Sequence, residues 1–412
     1  MSTPFDIQQV AVIGAGTMGR GIVISLASAG LPVLWLDSNT QTLNAGLSMI
    51  EQTWSQQVGK QRITSLEAHA NLERVRPVQN YAALAEADLV IEAVYESLAL
   101  KQEIFRALDA HLKPTAILAS NTSALDIDAI AAVTGRSRQV LGLHYFSPAH
   151  IMKLLEIVRG KDTDSQVLEA ARRLAQRTGK VAVVAGNCPG FIGNRMLRSY
   201  VAEARKLLLE GALPHQVDEV LQQFGFAMGP FRMYDVVGID LEWRARQLAG
   251  QGMDAPLVQV DNALCELGRL GQKTGAGYYR YAPGSRLAEH DPLVDEWVLK
   301  VSQGLGYRRR EIDAREILDR CLLALVNEGA KILEEGIAAS SHDIDQVWLN
   351  GYGFAIETGG PMRWADEQGM NSLLTRLERL QGLFGEHWRP AGLISRLMAN
   401  GKHFADVGEG RV

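Results

Sequence analysis

A short apolar run, Val10 to Ile13, passes directly into Gly14-Ala15-Gly16-Thr17-Met18-Gly19, and a helix-like segment then continues to Ala29. Three glycines at this spacing, between a strand and a helix, leave few folds open. Gly14 permits the tight turn, Gly16 lets a pyrophosphate approach the backbone, and Gly19 lets the helix pack on the sheet. The helix N-terminus supplies free N–H groups and a positive dipole end for phosphates. Thr17 and Met18, inside the same turn, join the glycines as expected cofactor contacts. The second strand, Pro32 to Leu36, ends in Asp37, 23 positions after Gly14 (37 − 14). An acid there grips ribose hydroxyls and repels a 2′-phosphate, and Ser38-Asn39 bring no arginine to welcome one, so NAD is favoured over NADP. A lone GxGxxG could be a glycine-rich turn without a ligand; strand, glycines, helix and acid together point to a dinucleotide.

Further apolar runs at Leu89–Val94, Ala116–Ala119, Val140–Phe146, Leu154–Val158 and Val181–Ala185 read as strands, with helix-like segments between most of them. This alternation predicts an α/β, Rossmann-like doubly wound sheet, mostly parallel, with ligands at the carboxyl ends of its strands. Glu96 and Lys101 follow one strand and would face that crevice, unless they are ordinary charges at a solvated helix start. Ser120-Asn121-Thr122-Ser123 follows another; its polar groups could touch cofactor or substrate, or simply cap a helix over Asp126–Val133.

The stretch VLGLHYFSPAHIMKLLEIVRG, Val140 to Gly160, carries the most reactive pair. His144 ends one apolar run and Glu156 interrupts the next. A carboxylate inside a strand-like run is costly to bury without a partner. Two neighbouring strands joined by the turn-forming SPAH would bring His144 within reach, and the carboxylate would then fix the imidazole's tautomer and raise its basicity. The alternative is that Glu156 points to solvent from an edge strand while His144 fills core space.

At 412 residues the chain suits two or three domains. A formal charge of −5 with 22% charged residues argues against general nucleic-acid binding, which needs a basic face. Cys188, Cys265 and Cys321 are odd in number and far apart, giving neither a disulfide framework nor metal-ligand spacing, and each reads best as a small buried hydrophobe. No metal is expected, and the cysteines suit a reducing compartment. The N-terminus enters a strand almost at once, without the pattern of a signal peptide, and no apolar run is long enough to span a bilayer. The expectation is a cytoplasmic protein without a membrane partner.

From Pro189 onward the pattern turns helical and repeats itself. Asn194-Arg195, Glu203 and Gly211 recur as Asp319-Arg320, Glu328 and Gly336, at a constant shift of 125 (320 − 195, 328 − 203, 336 − 211). Phe224-Gly225-Phe226 is answered by Tyr352-Gly353-Phe354, Gly229-Pro230 by Gly360-Pro361, and Phe231–Asp235 by Met362–Asp366. The copies differ where Asn194 becomes Asp319. An amide can donate to a substrate carbonyl oxygen and a carboxylate cannot, so the first copy would work and the second support it; Asn194 could otherwise be a helix cap. The expected domains are 1–186, 187–284 and 285–412, with charged Leu287–Arg310 as the joint between copies.

GAGTMG, IEAVYESLALK, SNTS, GLHYFSP, KLLEIVRG, CPGFIGNR, MGPFRMYDVVGID and QKTGAGYY run in this order from about residue 8 to 281. Together they resemble the L-3-hydroxyacyl-CoA dehydrogenase family of fatty acid β-oxidation, in particular the dehydrogenase part of its multifunctional enzymes. The resemblance implies two tandem all-helical domains like the C-terminal domain of 6-phosphogluconate dehydrogenase, NAD as cofactor, and an acyl-CoA substrate entering between the two halves of the chain. It makes His144 the catalytic base and Glu156 its partner, and matches Ser123 and Asn194 to residues contacting the substrate's reacting oxygen and neighbouring groups. Gly14, Gly16, Gly19, Asp37, Glu96 and Lys101 match NAD-contacting positions. Ser147, standing where many relatives have Asn, is a looser nicotinamide contact. Thr53 and Lys60 fall where the family has a hydroxyl and a lysine for CoA, on a variable helix. The hydratase part of the multifunctional enzymes finds no room before Val10, so hydratase activity is not expected. Single-copy relatives dimerise through their helical domain, so the chain is expected either to be a monomer with an internal pseudo-dimer or to form a homodimer. Rival readings are a dehydrogenase of another hydroxy substrate (3-hydroxybutyryl-CoA, 3-hydroxyadipyl-CoA or a sugar acid) and a non-catalytic NAD-binding protein like some crystallins.

Overall fold

In a computed structural model the chain is described over residues 5–408. The first four residues of the N-terminal stretch and the last four of the C-terminal one lie outside the described residues. Two compact units emerge, Met1–Asn194 with Glu335–Tyr352, and Arg195–Glu334 with Gly353–Val412.

The first unit holds one eight-stranded sheet: β1 (Val10–Ile13), β2 (Val33–Leu36), β3 (Val75–Val78), β4 (Leu89–Glu92), β5 (Ile117–Ser120), β6 (Val140–Tyr145), β7 (Leu154–Arg159) and β8 (Val181–Gly186). Their order is β3-β2-β1-β4-β5-β6-β7-β8. All neighbours are parallel except β6 and β7, which are antiparallel. The order 3-2-1-4-5-6 is that of a Rossmann-like sheet, whose switch point lies between β1 and β4. β1, β2, β4 and β5 are buried along their whole length, as the near-continuous apolar runs require of parallel strands covered on both faces. Helices α1 (Thr17–Ser28), α2 (Thr40–Gly59), α3 (Ser65–Glu73), α4 (Leu98–His111), α5 (Ile127–Ala131) and α6 (Ser165–Arg177) connect the strands.

Seven of the eight strands coincide with expected apolar runs, shifted by one or two residues at their ends. The exception is β3, with the sequence VRPV. Arg76 and Pro77 are exposed, and β3 lies at the sheet edge, where proline's missing N–H costs no ladder bond. Hydropathy carries no signal for such a strand. The helix expected over Asp126–Val133 is one short turn, with the Asp126 carboxylate accepting from the N–H groups of Asp128 and Ala129.

The remaining helices are α7 (Gly193–Glu210), α8 (Pro214–Phe224), α9 (Pro230–Val237), α10 (Asp240–Ala249), α11 (Gln259–Glu266), α12 (Pro292–Gly304), α13 (Ala314–Glu334), α14 (Ser341–Gly351), α15 (Pro361–Gln368), α16 (Met370–Phe384) and α17 (Gly392–Ala399). Leu287–Arg310, expected as a joint, contains α12. The repeat is visible in three dimensions. Arg195 Nε donates to Glu328 Oε1 at 2.7 Å, while Arg320, the sequence counterpart of Arg195, donates to Glu203, the counterpart of Glu328. A Cβ on Gly225 would meet Ala355 Cβ at 2.9 Å, and one on its counterpart Gly353 would meet Ala227 Cβ at 2.8 Å. Contacts that exchange partners in this way are the signature of a two-fold interface. Asp235 accepts from the N–H groups of Tyr278 and Tyr279, and its counterpart Asp366 accepts from those of Phe404 and Ala405. That bond gives the C-terminal stretch a place: it closes the second copy as residues 278–281 close the first.

One stretch of the second copy belongs to the sheet's unit. Gly186 N–H donates to Ile337 O at 2.7 Å, Ala185 and Ala338 form an antiparallel bridge, and α14 packs on β7 and β8. Among the described residues no helix is long and apolar enough to cross a membrane. None of the three cysteines is in a disulfide; Cys265 and Cys321 are buried, whereas Cys188 is only half-buried, so the expectation of a buried hydrophobe fails there.

Candidate active site

His144 and Glu156 are directly opposed in the β6–β7 ladder. His144 Nδ1 lies 2.7 Å from Glu156 Oε2, with the imidazole 5% exposed and the carboxylate fully buried. Side chains on directly opposed residues of an antiparallel pair share one face and meet, which is how the turn after β6 delivers the contact. The other oxygen of Glu156 accepts from the backbone N–H groups of Ile192, at 3.2 Å, and Gly193, at 3.0 Å. Gly193 opens α7, so the carboxylate sits on the positive end of a helix. Phe191, just before, has φ of +51°, a left-handed conformation rare for a bulky residue, and its ring is fully buried. Three donors satisfy a carboxylate that would otherwise be intolerable at this depth.

Because Nδ1 faces a carboxylate it carries the proton, which leaves Nε2 as a lone-pair acceptor. The ring is held by Phe146, with centroids 4.3 Å apart, and by Phe191 at 5.8 Å. His144 is one residue from the end of β6, on the carboxyl edge where α/β sheets bind ligands. An imidazole so placed can take a proton through one nitrogen while a buried anion stabilises the resulting charge.

At the switch point, Gly14 has φ of +104°, and a Cβ there would lie 2.6 Å from Ala93 O. A Cβ on Gly19 would lie 2.0 Å from Gly14 O, so α1 approaches the turn more closely than any side chain permits. Gly16 is different: a Cβ there would meet nothing within 4 Å. It and Thr17 are exposed, and α1 has no side-chain cap over its first N–H groups. A glycine that packs against nothing, beside uncapped helix donors, fits a pyrophosphate. Asp37 Oδ2 accepts from Ala15 N–H at 2.7 Å and Oδ1 from Asn39 N–H at 2.8 Å, which holds the acid beside the glycine turn.

Glu96 Oε1 accepts from the Thr122 hydroxyl at 2.5 Å and from Ser123 N–H at 3.0 Å, joining the ends of β4 and β5. Lys101 is not a free cation facing the crevice. It is 1% exposed, and its ammonium lies 2.8 and 2.9 Å from the two oxygens of Glu92 and 3.4 Å from Glu96 Oε2. Glu92, which also accepts from the Ser120 hydroxyl at 2.8 Å, escaped the sequence reading. Its signal was the one that exposed Glu156, an acid inside an apolar strand.

Of the SNTS segment, Asn121 is structural, its side-chain oxygen accepting from Tyr145 N–H at 2.9 Å. The half-buried Ser123 hydroxyl is 3.4 Å from Glu96 Oε1, and Ser123 O accepts from Asn194 Nδ2 at 3.3 Å. Ser123, Asn194, Glu156 and His144 are thereby joined through three hydrogen-bonded links, Asn194 to Ser123, Gly193 to Glu156 and His144 to Glu156, and the start of α7. Ser147 is exposed just beyond β6. Half-buried Thr53 and exposed Lys60 lie seven residues apart at the end of α2 and its cap, so both project from one side about 10 Å apart along the axis. The Thr53 hydroxyl donates to Met49 O.

Elsewhere, among the described residues, His215, His290 and Asp295 each bring one potential ligand atom to within 4.8 Å of the others. His290 Nε2 and Asp295 Oδ2 are 2.7 Å apart.

Residues 9–188 match the family model described as 3-hydroxyacyl-CoA dehydrogenase, NAD binding domain, and residues 190–281 and 317–411 match the one described as 3-hydroxyacyl-CoA dehydrogenase, C-terminal domain. The chain belongs to the 3-hydroxyacyl-CoA dehydrogenase family. Its glycine turn and Asp37 are thus part of the family's NAD-binding domain, and the two helical copies are two C-terminal domains. The chain is 42% identical to the peroxisomal bifunctional enzyme of Danio rerio over 97% of its own length and 57% of that protein's. It is 34% identical to the fatty acid oxidation complex subunit alpha of a Psychrobacter species over 97% of its length and 56% of the relative's. It therefore spans little more than half the length of the curated relatives it matches. The structure of 3-hydroxybutyryl-CoA dehydrogenase from Escherichia coli K12 superposes with a TM-score of 0.81 at 29% identity, covering 96% of this chain and 99% of the other.

Proposed function

We propose that this family member catalyses the reversible NAD-dependent oxidation of (S)-3-hydroxyacyl-CoA to 3-oxoacyl-CoA, with His144 as general base held by Glu156. The observation that carries this reading is the 2.7 Å contact between His144 Nδ1 and Glu156 Oε2, with both groups buried on the carboxyl edge of the sheet. His144 Nε2 takes the proton of the C3 hydroxyl, and the C3–O bond becomes a carbonyl. NAD, when bound at the Gly14–Gly19 turn, supplies the acceptor for the hydride that leaves C3. Glu156 stabilises the imidazolium, and in the reverse direction the same Nε2–H returns the proton. A base so positioned contributes on the order of 10²–10⁴ in rate. Ser123 and Asn194 orient the substrate's oxygens, Glu96 and Ser147 contact the nicotinamide end, and Thr53 with Lys60 meet the CoA moiety.

The substrate class follows the fatty acid oxidation relatives. A short-chain specialist is the second reading, favoured by the match to the 3-hydroxybutyryl-CoA enzyme along both chains. For assembly, the exchanged Arg195–Glu328 and Arg320–Glu203 contacts support a monomer whose two C-terminal domains replace the dimer contact internally. Three cysteines outside any disulfide suit a reducing compartment, either the cytoplasm or the peroxisome in the name of the Danio rerio relative.

An NADH absorbance assay with 3-ketoacyl-CoAs of increasing length, and acetoacetate as the thioester-free control, tests the reading. Oxidation with thioesters alone is expected, and the length profile separates the two substrate ranges. Absence of thioester-dependent oxidation would overturn the proposal.

A further inference from the structure

The second helical copy places one side chain beside the proposed catalytic residues. Tyr352 follows α14 and shares the sheet's unit with His144, Glu156 and Asn194. Its hydroxyl donates to Asn194 Oδ1 at 2.9 Å. Its ring stacks on Trp348, with centroids 4.8 Å apart and planes at 25°, and meets Phe146 edge-on at 5.5 Å. Phe146 in turn packs on the His144 imidazole. Gly193, at the start of α7, makes the space: a Cβ there would lie 2.4 Å from the Tyr352 hydroxyl oxygen.

An asparagine amide presents two donors on one atom and an acceptor on the other, and nothing in its shape decides which faces a substrate. Here Oδ1 is occupied by a hydroxyl proton, and Nδ2 uses one proton on Ser123 O. The second Nδ2 proton is left to donate. Burial, and then the nearby Glu156 charge, hold the Tyr352 hydroxyl well above the usual phenol range, so it stays a donor.

The copies diverge consistently around this contact. The counterpart of Tyr352 in the first copy is Phe224, which has no hydroxyl, and the counterpart of Asn194 in the second is Asp319, which is paired with Arg376. The asparagine–tyrosine combination therefore arises once, from one residue of each copy.

We infer that Tyr352 is a positioning residue for the reaction proposed above: its hydroxyl locks the Asn194 amide with the N–H₂ group toward the substrate oxygen. The second C-terminal domain is then part of the working site and not only a structural substitute for a partner subunit. This inference rests on the dehydrogenase reading, and the experiment separates the two.

Tyr352→Phe keeps the stacking and removes only the hydroxyl. It should lower kcat roughly tenfold, the scale of one lost hydrogen bond, with the NADH dissociation constant from fluorescence titration unchanged. The same substitution in an Asn194→Ala background should have little further effect, since the amide it acts on is gone. A Tyr352→Phe enzyme with wild-type kcat, or one losing the same factor in the presence and absence of Asn194, would overturn the inference while leaving the dehydrogenase reading intact. A wild-type protein inactive on every 3-ketoacyl-CoA would remove the reading itself.

Discussion

Arg320 and Glu203 form a buried ion pair within the helical unit, with Arg320 Nε and Nη2 3.1 and 3.0 Å from the same oxygen, Glu203 Oε2. The guanidinium is fully buried and the carboxylate 3% exposed; Glu210 and Glu316 complete the arginine's partners, and the Phe384 ring lies 4.3 Å from its Cζ. Because residues 203 and 320 come from different copies, this pair fastens one C-terminal domain to the other.

Removing Arg320 strips the buried Glu203 carboxylate of the arginine on Oε2 and leaves it Lys206, 2.7 Å from Oε1. Arg320→Ala is expected to lower stability by about 3–5 kcal/mol. Arg138→Ala, which breaks an exposed pair with Asp164, should leave stability close to wild type. Urea denaturation of both variants checks the contrast, and equal losses would contradict the interlocking role.

His144→Gln and Glu156→Gln should each reduce kcat by about 10²–10⁴ while NADH affinity persists. The two should differ in stability. Glu156 Oε1 accepts two backbone N–H groups and Oε2 faces an imidazole N–H, so an amide must turn its own N–H₂ toward one of these donors. Glu156→Gln should therefore lose about 1–3 kcal/mol in addition to activity. Parallel denaturation and NADH titration of the two variants give the comparison; loss of NADH affinity would indicate a structural role.

Gly16→Ala and Gly19→Ala separate ligand binding from folding. An added methyl at 16 meets nothing, whereas one at 19 strikes Gly14 O at 2.0 Å. Gly16→Ala should melt close to wild type yet bind NAD at least about tenfold more weakly, as the methyl takes the phosphate's space. Gly19→Ala should be destabilised by about 1–3 kcal/mol or more. Calorimetric scanning with and without NAD reads both effects.

Burial pushes the Asp218 carboxyl up to about 7, against the opposing pull of the Tyr279 hydroxyl and the Phe231 and Arg232 N–H groups that it accepts. The folded state thus holds this proton more tightly than the unfolded chain, whose aspartates titrate near about 4. The stabilising contribution is complete below about pH 4 and is lost as pH rises through about 7, with a slope of up to about 1.4 kcal/mol per pH unit. Wild-type stability relative to Asp218→Asn should fall across that window. Denaturation of both proteins at intervals through it tests the sign, and a difference rising with pH would refute it.

The local sequence determined the strands with apolar runs, the glycine turn with its Asp37, the candidate pair His144 and Glu156, and the existence of two helical copies. Each is written in neighbouring residues: hydropathy with a period, a glycine where no side chain fits, an acid where none should be buried, or a shift of constant length. The edge strand VRPV was hidden because its edge position tolerates the polar and proline residues that mask a strand pattern.

Only the tertiary structure decided which charges meet. Lys101 reads as an exposed helix-start cation until Glu92 is seen beneath it, and Tyr352 reads as one more aromatic of a repeat until its hydroxyl is found on Asn194, 158 residues away in sequence. Hydrogen bonds and ion pairs depend on distances of a few ångströms between side chains, and residues so far apart in the chain carry no local record of them.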